Sequence, residues 1–160
     1  MAARNDTIVR ACGDGQSRRG FLQTAGCFAG VLAAMRVVAA VTGEQVGNER
    51  SYPIPTSDGA TVDHEAQVIL ARLQGTVFAF ALSCPHQNAA VKWLSVDHRF
   101  QCTKHDSQYQ PDGRYTSGRA TRNLDRFPIR RQGTSVLVDI TKVYQSDRDP
   151  AGWAGASVTV

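Results

Sequence analysis

The chain has 160 residues, 42% hydrophobic and 20% charged, a balance that supports one packed core and excludes a low-complexity or disordered tract. Its formal charge of +4 is uneven: residues 1–40 hold five arginines against two aspartates, and the rest holds 13 basic against 12 acidic side chains. The isoelectric point near 9.1 mostly reflects the leader, so charge gives no ground for nucleic-acid binding.

The leader comes first in chain order. Ser17-Arg18-Arg19-Gly20-Phe21-Leu22-Gln23 resembles the twin-arginine export motif S-R-R-x-F-L-K with only the last lysine replaced. That pathway exports proteins already folded. The apolar run from Phe21 to Val41 is 21 residues, about long enough to span a bilayer. Arg36 within it costs about 2.5–3.5 kcal/mol at a helix centre and less near the interface. Val38-Ala39-Ala40 offers the small residues a signal peptidase needs. Residues 1–42 are therefore read as a signal or membrane-anchor helix, with cleavage and retention both open. Either fate puts the rest on the periplasmic side of the cytoplasmic membrane, anchored or soluble.

Residues 43–160 are enough for one domain. Gln67 to Leu73 and Val77 to Leu82 are rich in Val, Ile, Leu and Phe and are joined by Gln74-Gly75-Thr76, which predicts a hairpin. It leads straight into Cys84-Pro85-His86. Lys92 to Ser95 and Arg99 to Gln101 predict a second hairpin through Val96-Asp97-His98, leading into Cys102-Thr103-Lys104-His105. Pro111-Asp112-Gly113 predicts a turn and Ser135 to Ile140 a further strand. The tail from Gln145, with Pro150, Gly152 and Gly155, reads as irregular and packed by Trp153. No long amphipathic helix follows the leader, so the expected class is all-β and antiparallel, with two ligand loops at one end.

The chemistry lies in those loops. Cys84, His86, Cys102 and His105 offer two thiolates and two imidazoles to one metal site. A zinc finger usually places both cysteines before both histidines, whereas each half-site here supplies one of each, which disfavours a structural zinc domain. Each iron of a two-iron cluster can instead take a like pair. Two ferric ions, two sulfides and two thiolates are formally neutral, and four thiolates would leave the core doubly negative. The less negative core accepts an electron more readily, at about −150 to +300 mV against about −400 mV for all-cysteine plant-type clusters. Ferric iron also makes the free imidazole N–H more acidic, which couples electron and proton uptake and suits quinol oxidation. Cys12 and Cys27 fall in the leader, leaving no pair for a structural disulfide after it. His64 and His98 read as surface or turn histidines, and Trp93 and Phe100 as core.

The second half-site continues as Cys102-Thr103-Lys104-His105-Asp106-Ser107-Gln108-Tyr109, followed by Gly113, Gly118, Ala120 and Leu124. With Cys84-Pro85-His86, this resembles the Rieske iron-sulfur proteins, whose pattern is C-x-H, then C-x-x-H-x-S-x-[FY] and G-x(4)-G-x-A-x(3)-L. The resemblance implies an antiparallel Rieske fold over 43–160 and one [2Fe–2S] cluster, with Cys84 and Cys102 on the inner iron and His86 and His105 on the outer. It also implies that Ser107 and Tyr109 donate hydrogen bonds near the cluster and raise its potential. There are departures. The loop cysteines of quinol:cytochrome c reductase subunits are absent, with Asn88 or Ala89 near the first position and Lys104 at the second. Gln87 replaces a common leucine, and the G-P-A turn reads Gly118-Arg119-Ala120.

The function implied is that of an extracytoplasmic electron-transfer subunit, not a complete enzyme, in a respiratory quinol:cytochrome c reductase-like complex. Its partners would be a c-type or b-type cytochrome and quinol, with no nucleic acid. The alternative is a small Rieske subunit of a periplasmic molybdenum oxidoreductase of the arsenite oxidase kind, or a free Rieske ferredoxin. Arg114, Arg119, Arg122, Arg126, Arg130 and Arg131, opposed only by Asp125, read either as a steering patch for an acidic redox partner or as a solvated face.

Overall fold

The computed structural model describes residues 43–160. The twin-arginine motif and the signal or anchor segment of residues 1–42 lie outside the described residues. In chain order the strands are β1 (Glu44–Val46), β2 (Glu49–Pro53), β3 (Gly59–Asp63), β4 (Val68–Leu73), β5 (Thr76–Ala81) and β6 (Val91–Leu94). They continue with β7 (Arg99–Cys102), β8 (Gln108–Tyr109), β9 (Tyr115–Ser117), β10 (Ile129–Gln132), β11 (Ser135–Asp139) and β12 (Val158–Thr159), and α1 (Pro150–Gly155) precedes β12. They form three antiparallel sheets of four strands, ordered β1-β2-β11-β10, β12-β5-β4-β3 and β6-β7-β8-β9. Among the described residues no helix is long and apolar enough to cross a membrane.

The first predicted hairpin is β4–β5. Its turn places Gln74 at φ 48° and Gly75 at φ 76°, two left-handed residues whose backbone matches the twist of paired strands. Both strands read as continuous apolar runs because both faces of their sheet are covered. Alternation along them sorts side chains into two cores. Val68, Leu70, Val77, Ala79 and Ala81 face Tyr52, Val136 and Val138 of the first sheet. Ile69, Ala71, Phe78 and Phe80 face Phe100, Cys102 and Tyr109 of the third. Each large side chain buried this way contributes about 1.5–3 kcal/mol. Phe80 and Phe100 meet edge to face with ring centroids 5.5 Å apart, which ties the central sheet to the one that carries the second loop.

The second predicted hairpin is β6–β7, in register from Val91 opposite Cys102 to Leu94 opposite Arg99. His98 sits exposed in its turn at φ 48°, and His64 is also exposed, as expected of both. Trp93 and Phe100 pack at 4.8 Å.

Two expectations need correction. The tail is not irregular: Asp149 caps α1 by accepting from the Gly152 N–H at 2.8 Å, Pro150 supplies a preset first-turn φ, and β12 then pairs with β5. Trp153 does pack, donating from Nε1 to the Leu124 carbonyl at 2.7 Å. Nor is the arginine run one solvated patch. Arg126 is 4% exposed, with its guanidinium 3.7 Å from the Trp153 ring centroid and 4.6 Å from that of Phe78. It donates to the Trp153 carbonyl at 2.8 Å and the Asp112 carbonyl at 2.6 Å, and burial pushes its pKa down to about 10. Arg122 forks onto Asp125 at 3.0 Å through two nitrogens, and Arg130 onto Glu49 at 3.2 and 2.8 Å.

Candidate metal centre

The two cysteine/histidine motifs occupy hairpin loops of the same frame. In the first, Ser83 and Ala90 pair across, and the Cys84 N–H closes the loop onto the Ala89 carbonyl at 2.7 Å. In the second, the Cys102 N–H closes onto the Ser107 carbonyl at 2.8 Å. Each leaves four residues outside the closing pair, and the last of them, Asn88 or Asp106, turns back at φ 54°. Asn and Asp tolerate that left-handed region best among residues with a Cβ. The loops are joined side by side. Thr103 donates from both its N–H, at 3.0 Å, and its hydroxyl, at 2.9 Å, to the Ala90 carbonyl.

This frame sends unlike groups to unlike depths. Cys84 and Cys102 are 0% and 1% exposed, while His86 and His105 are half-buried above them. The two imidazoles face each other with centroids 4.9 Å apart at 74°. Their Nδ1 atoms are buried without a hydrogen-bond partner. A buried nitrogen left so costs about 1–3 kcal/mol, a cost removed if the lone pair binds a metal. Burial pushes the Cys102 thiol up, but the backbone N–H groups of His105 and Lys104 and a hydrogen bond with Cys84 outweigh it and hold the thiol below its ordinary pKa. Burial, then the charges of Arg119, His86 and Lys104, hold His105 below the usual histidine range, with Asp106 opposing. The donor set and its two-and-two division by depth fit a two-iron, two-sulfide core. Among the described residues no three His, Cys, Asp or Glu side chains form a site for one ion.

Ser107 and Tyr109 lie beneath the loops, both 0% exposed. The Ser107 oxygen accepts from the N–H groups of Arg119 and Ala120, each at 3.0 Å. With its acceptor capacity used by two amides, the hydroxyl proton remains free to donate. Gly118 makes this approach possible: it sits at φ +106°, and a Cβ there would lie 2.5 Å from the Ser107 Cα. The Tyr109 hydroxyl lies 3.2 Å from the Cys84 sulfur. Burial first, and then the bond to Cys84, push its pKa far above the ordinary tyrosine value, so it stays protonated as a donor. The rest of the G-x(4)-G-x-A-x(3)-L segment supports the floor. Gly113 at φ +82° packs against the Phe80 ring, where a side chain would collide, and Leu124 is fully buried.

All six predicted site residues are thus brought to one end of the third sheet. The six-arginine cluster is not brought together. Arg114 pairs with Asp112 at 3.4 Å, Arg122 and Arg130 have the carboxylates named above, Arg126 is internal, and Arg131 is exposed on β10. Arg119 alone of the six charges His105, joined by Lys104. The sequence marked Lys104 only as a departure from a pattern, and Arg119 also as one of six arginines read as a steering patch or a solvated face. Their place beside a half-site was the available signal for a charged rim.

A curated relative, the chloroplastic iron-sulfur subunit of the cytochrome b6-f complex of Bigelowiella natans, is 25% identical over 93 residues, 58% of this chain. The match spans 32% of that relative's own length, about one third. The solved plasma membrane Rieske protein PetC3 of the cyanobacterium Synechocystis PCC 6803 is 20% identical with a TM-score of 0.43, covering 57% of this chain and 85% of that one. The family model described as the Rieske [2Fe-2S] domain matches residues 44–128, more than half of the chain and both loops, so the chain belongs to the Rieske [2Fe–2S] family.

Proposed function

We propose that Cys84 and Cys102 bind one iron and His86 and His105 the other, and that the protein carries single electrons as the extracytoplasmic subunit of a quinol:cytochrome c reductase-like complex. A Rieske domain carries one [2Fe–2S] cluster, which when bound supplies a one-electron couple. The observation that carries the ligand assignment is the pair of facing imidazoles with buried, unpartnered Nδ1 atoms above two buried thiols.

With Nδ1 engaged, Nε2 is the atom at which each histidine holds or releases a proton, on the half-exposed side of the ring. The Tyr109 hydroxyl lies within hydrogen-bond distance of the Cys84 sulfur, to which it would donate, and the Ser107 hydroxyl belongs to the same floor. Donors aimed at sulfur favour the more electron-rich state. The packed floor keeps water from the buried thiols, while the histidines are half-buried.

Placement in a quinol-oxidising complex rests on the proton-holding histidines and is supported by similarity to the iron-sulfur subunit of a cytochrome b6-f complex. Cytochromes are the redox partners this reading assigns. Export by the twin-arginine route rests on Ser17 to Leu22 and places the domain outside the cytoplasmic membrane, anchored or released. One observation favours the second reading, a small subunit of a molybdenum oxidoreductase or a free ferredoxin. Cys84 and Cys102 are the only cysteines after the leader, so the loops have no disulfide of their own.

Iron and sulfide analysis of anaerobically purified protein, with an EPR spectrum of the reduced form, tests the ligand assignment. Two irons, two sulfides and a Rieske-type signal are expected, and a colourless protein with one zinc overturns it. Co-purification from membranes separates the partners: a b-type cytochrome supports the first reading, and a molybdenum subunit replaces it with the second.

A further inference from the structure

We infer that the exposed side chains of Lys104 and Arg119 form a cationic collar beside the two-histidine tip, and that this collar docks the carboxylate-rich face of an electron-transfer protein. The inference rests on the Rieske electron-carrier reading and names the chemistry of its partner.

Charge across the domain is nearly balanced, with 13 basic and 12 acidic residues after residue 40. Most arginines spend that charge locally: Arg50 on Glu65 at 3.0 Å, Arg72 on Asp58 at 3.7 Å and Arg99 on Asp97 at 3.3 Å, beside the pairs already described. Lys104 and Arg119 differ. Both are exposed, and among the described residues neither has a carboxylate within ion-pair distance. Lys104 directly precedes His105, and the Arg119 N–H sits 3.0 Å from the oxygen of Ser107, two residues after His105.

The opposing group is Asp106, whose Oδ1 accepts from the Gln101 side chain at 2.7 Å. Two cations therefore outweigh one carboxylate at the point where the histidines reach solvent. Their backbones are held, because the Arg119 N–H donates to the Ser107 oxygen and Lys104 follows Thr103, whose N–H and hydroxyl both donate to the Ala90 carbonyl. A preset guanidinium and ammonium around an otherwise near-neutral domain suit carboxylates of a partner, with Arg able to fork onto them. Such local charge raises the encounter rate at low salt and is screened as the Debye length shrinks.

The test is stopped-flow oxidation of the reduced protein by an acidic c-type cytochrome, with ferricyanide and tris(phenanthroline)cobalt(III) as small anionic and cationic probes. In each case one electron leaves the reduced protein and one acceptor is reduced, ferricyanide to ferrocyanide. Between ionic strengths of about 0.01 and about 0.15 M, the rates with the acidic cytochrome and ferricyanide should fall by about tenfold or less, and the rate with the cobalt complex should rise. Lys104→Glu/Arg119→Glu should reverse these slopes, and Lys104→Gln/Arg119→Gln should flatten them. Arg131→Glu on β10, which changes the net charge by the same two units as the double Gln variant, should leave their signs unchanged. Flat slopes in the wild type, slopes unchanged in both double variants, or a reversal by Arg131→Glu overturn the collar. So does faster oxidation by a basic cytochrome than by the acidic one at low ionic strength. An EPR spectrum accompanies every sample: no Rieske signal in the wild type removes the reading beneath the proposal, while a normal signal with flat slopes removes the collar alone.

Discussion

The two loops share one frame and differ in what surrounds it. Both close through a cysteine N–H onto the carbonyl five residues ahead, and both turn on a left-handed Asn or Asp. Yet histidine is two residues after cysteine in the first loop and three after it in the second. The first makes up the difference with an added bond, from the Asn88 N–H to the Cys84 carbonyl at 2.9 Å. The second directs the Lys104 and His105 N–H groups at its own sulfur. A fixed backbone frame can therefore accept two spacings and still send sulfur inward and imidazole outward. The asymmetry lies downstream. Ser107 and Tyr109 both follow the second loop, and Tyr109 reaches across to the cysteine of the first.

The largest expected effect breaks the shared role. His86→Ala and His105→Ala should each lose the cluster entirely, seen as loss of iron and of the EPR signal, despite their unequal spacing. Retention in either variant would show that the two half-sites are not equivalent.

Next comes Gly118→Ala, which strains only the second loop's support. Its φ of +106° and the close Ser107 backbone lead us to expect a loss of about 1–3 kcal/mol. Thermal unfolding should show it, together with a lower midpoint potential as Ser107 is displaced. An unchanged melting temperature would mean that the segment shifts freely.

Tyr109→Phe should then lower the midpoint potential with the cluster retained, by about 40–65 mV if the lost hydrogen bond is stronger by about 1–1.5 kcal/mol in the reduced state. Ser107→Ala should lower the potential too, but it also strands two amides and so costs stability, which separates the donors by melting temperature. An unchanged potential in protein-film voltammetry would remove Tyr109 from the tuning role.

The smallest effect sharpens the comparison of frames. Asn88→Gly and Asp106→Gly should each change unfolding free energy by less than about 1 kcal/mol, since glycine accepts the same φ with no Cβ strain. A large loss at one site alone would show that the side chain there does more than permit the turn.

Much of the centre was legible in the sequence because its signals are local. Hairpins announce themselves through apolar runs flanking Gln74-Gly75 and Val96-Asp97-His98, and ligands through side chains few other sites require. The short strands β1, β2, β3, β8, β9, β10 and β12 carried no such signal. Strands of two to five residues lack a distinctive period, and their pairing depends on distant partners, as Val158 depends on Val77. The tail helix was missed for a related reason, since its Pro and Gly content reads as a breaker until the Asp149 cap and the Trp153 anchor are seen.

What the amino-acid order determined by itself was the chemical inventory: two thiols, two imidazoles, two hydroxyls and the glycines that let backbone pass close by. Residue type and near-neighbour spacing are properties of the chain alone. Only the tertiary structure decided the fate of the charges. Arginines crowded between positions 114 and 131 separate onto carboxylates, into an aromatic core and, in Arg119, beside the histidines. Coulomb energy depends on distance and burial through space, and sequence separation specifies neither.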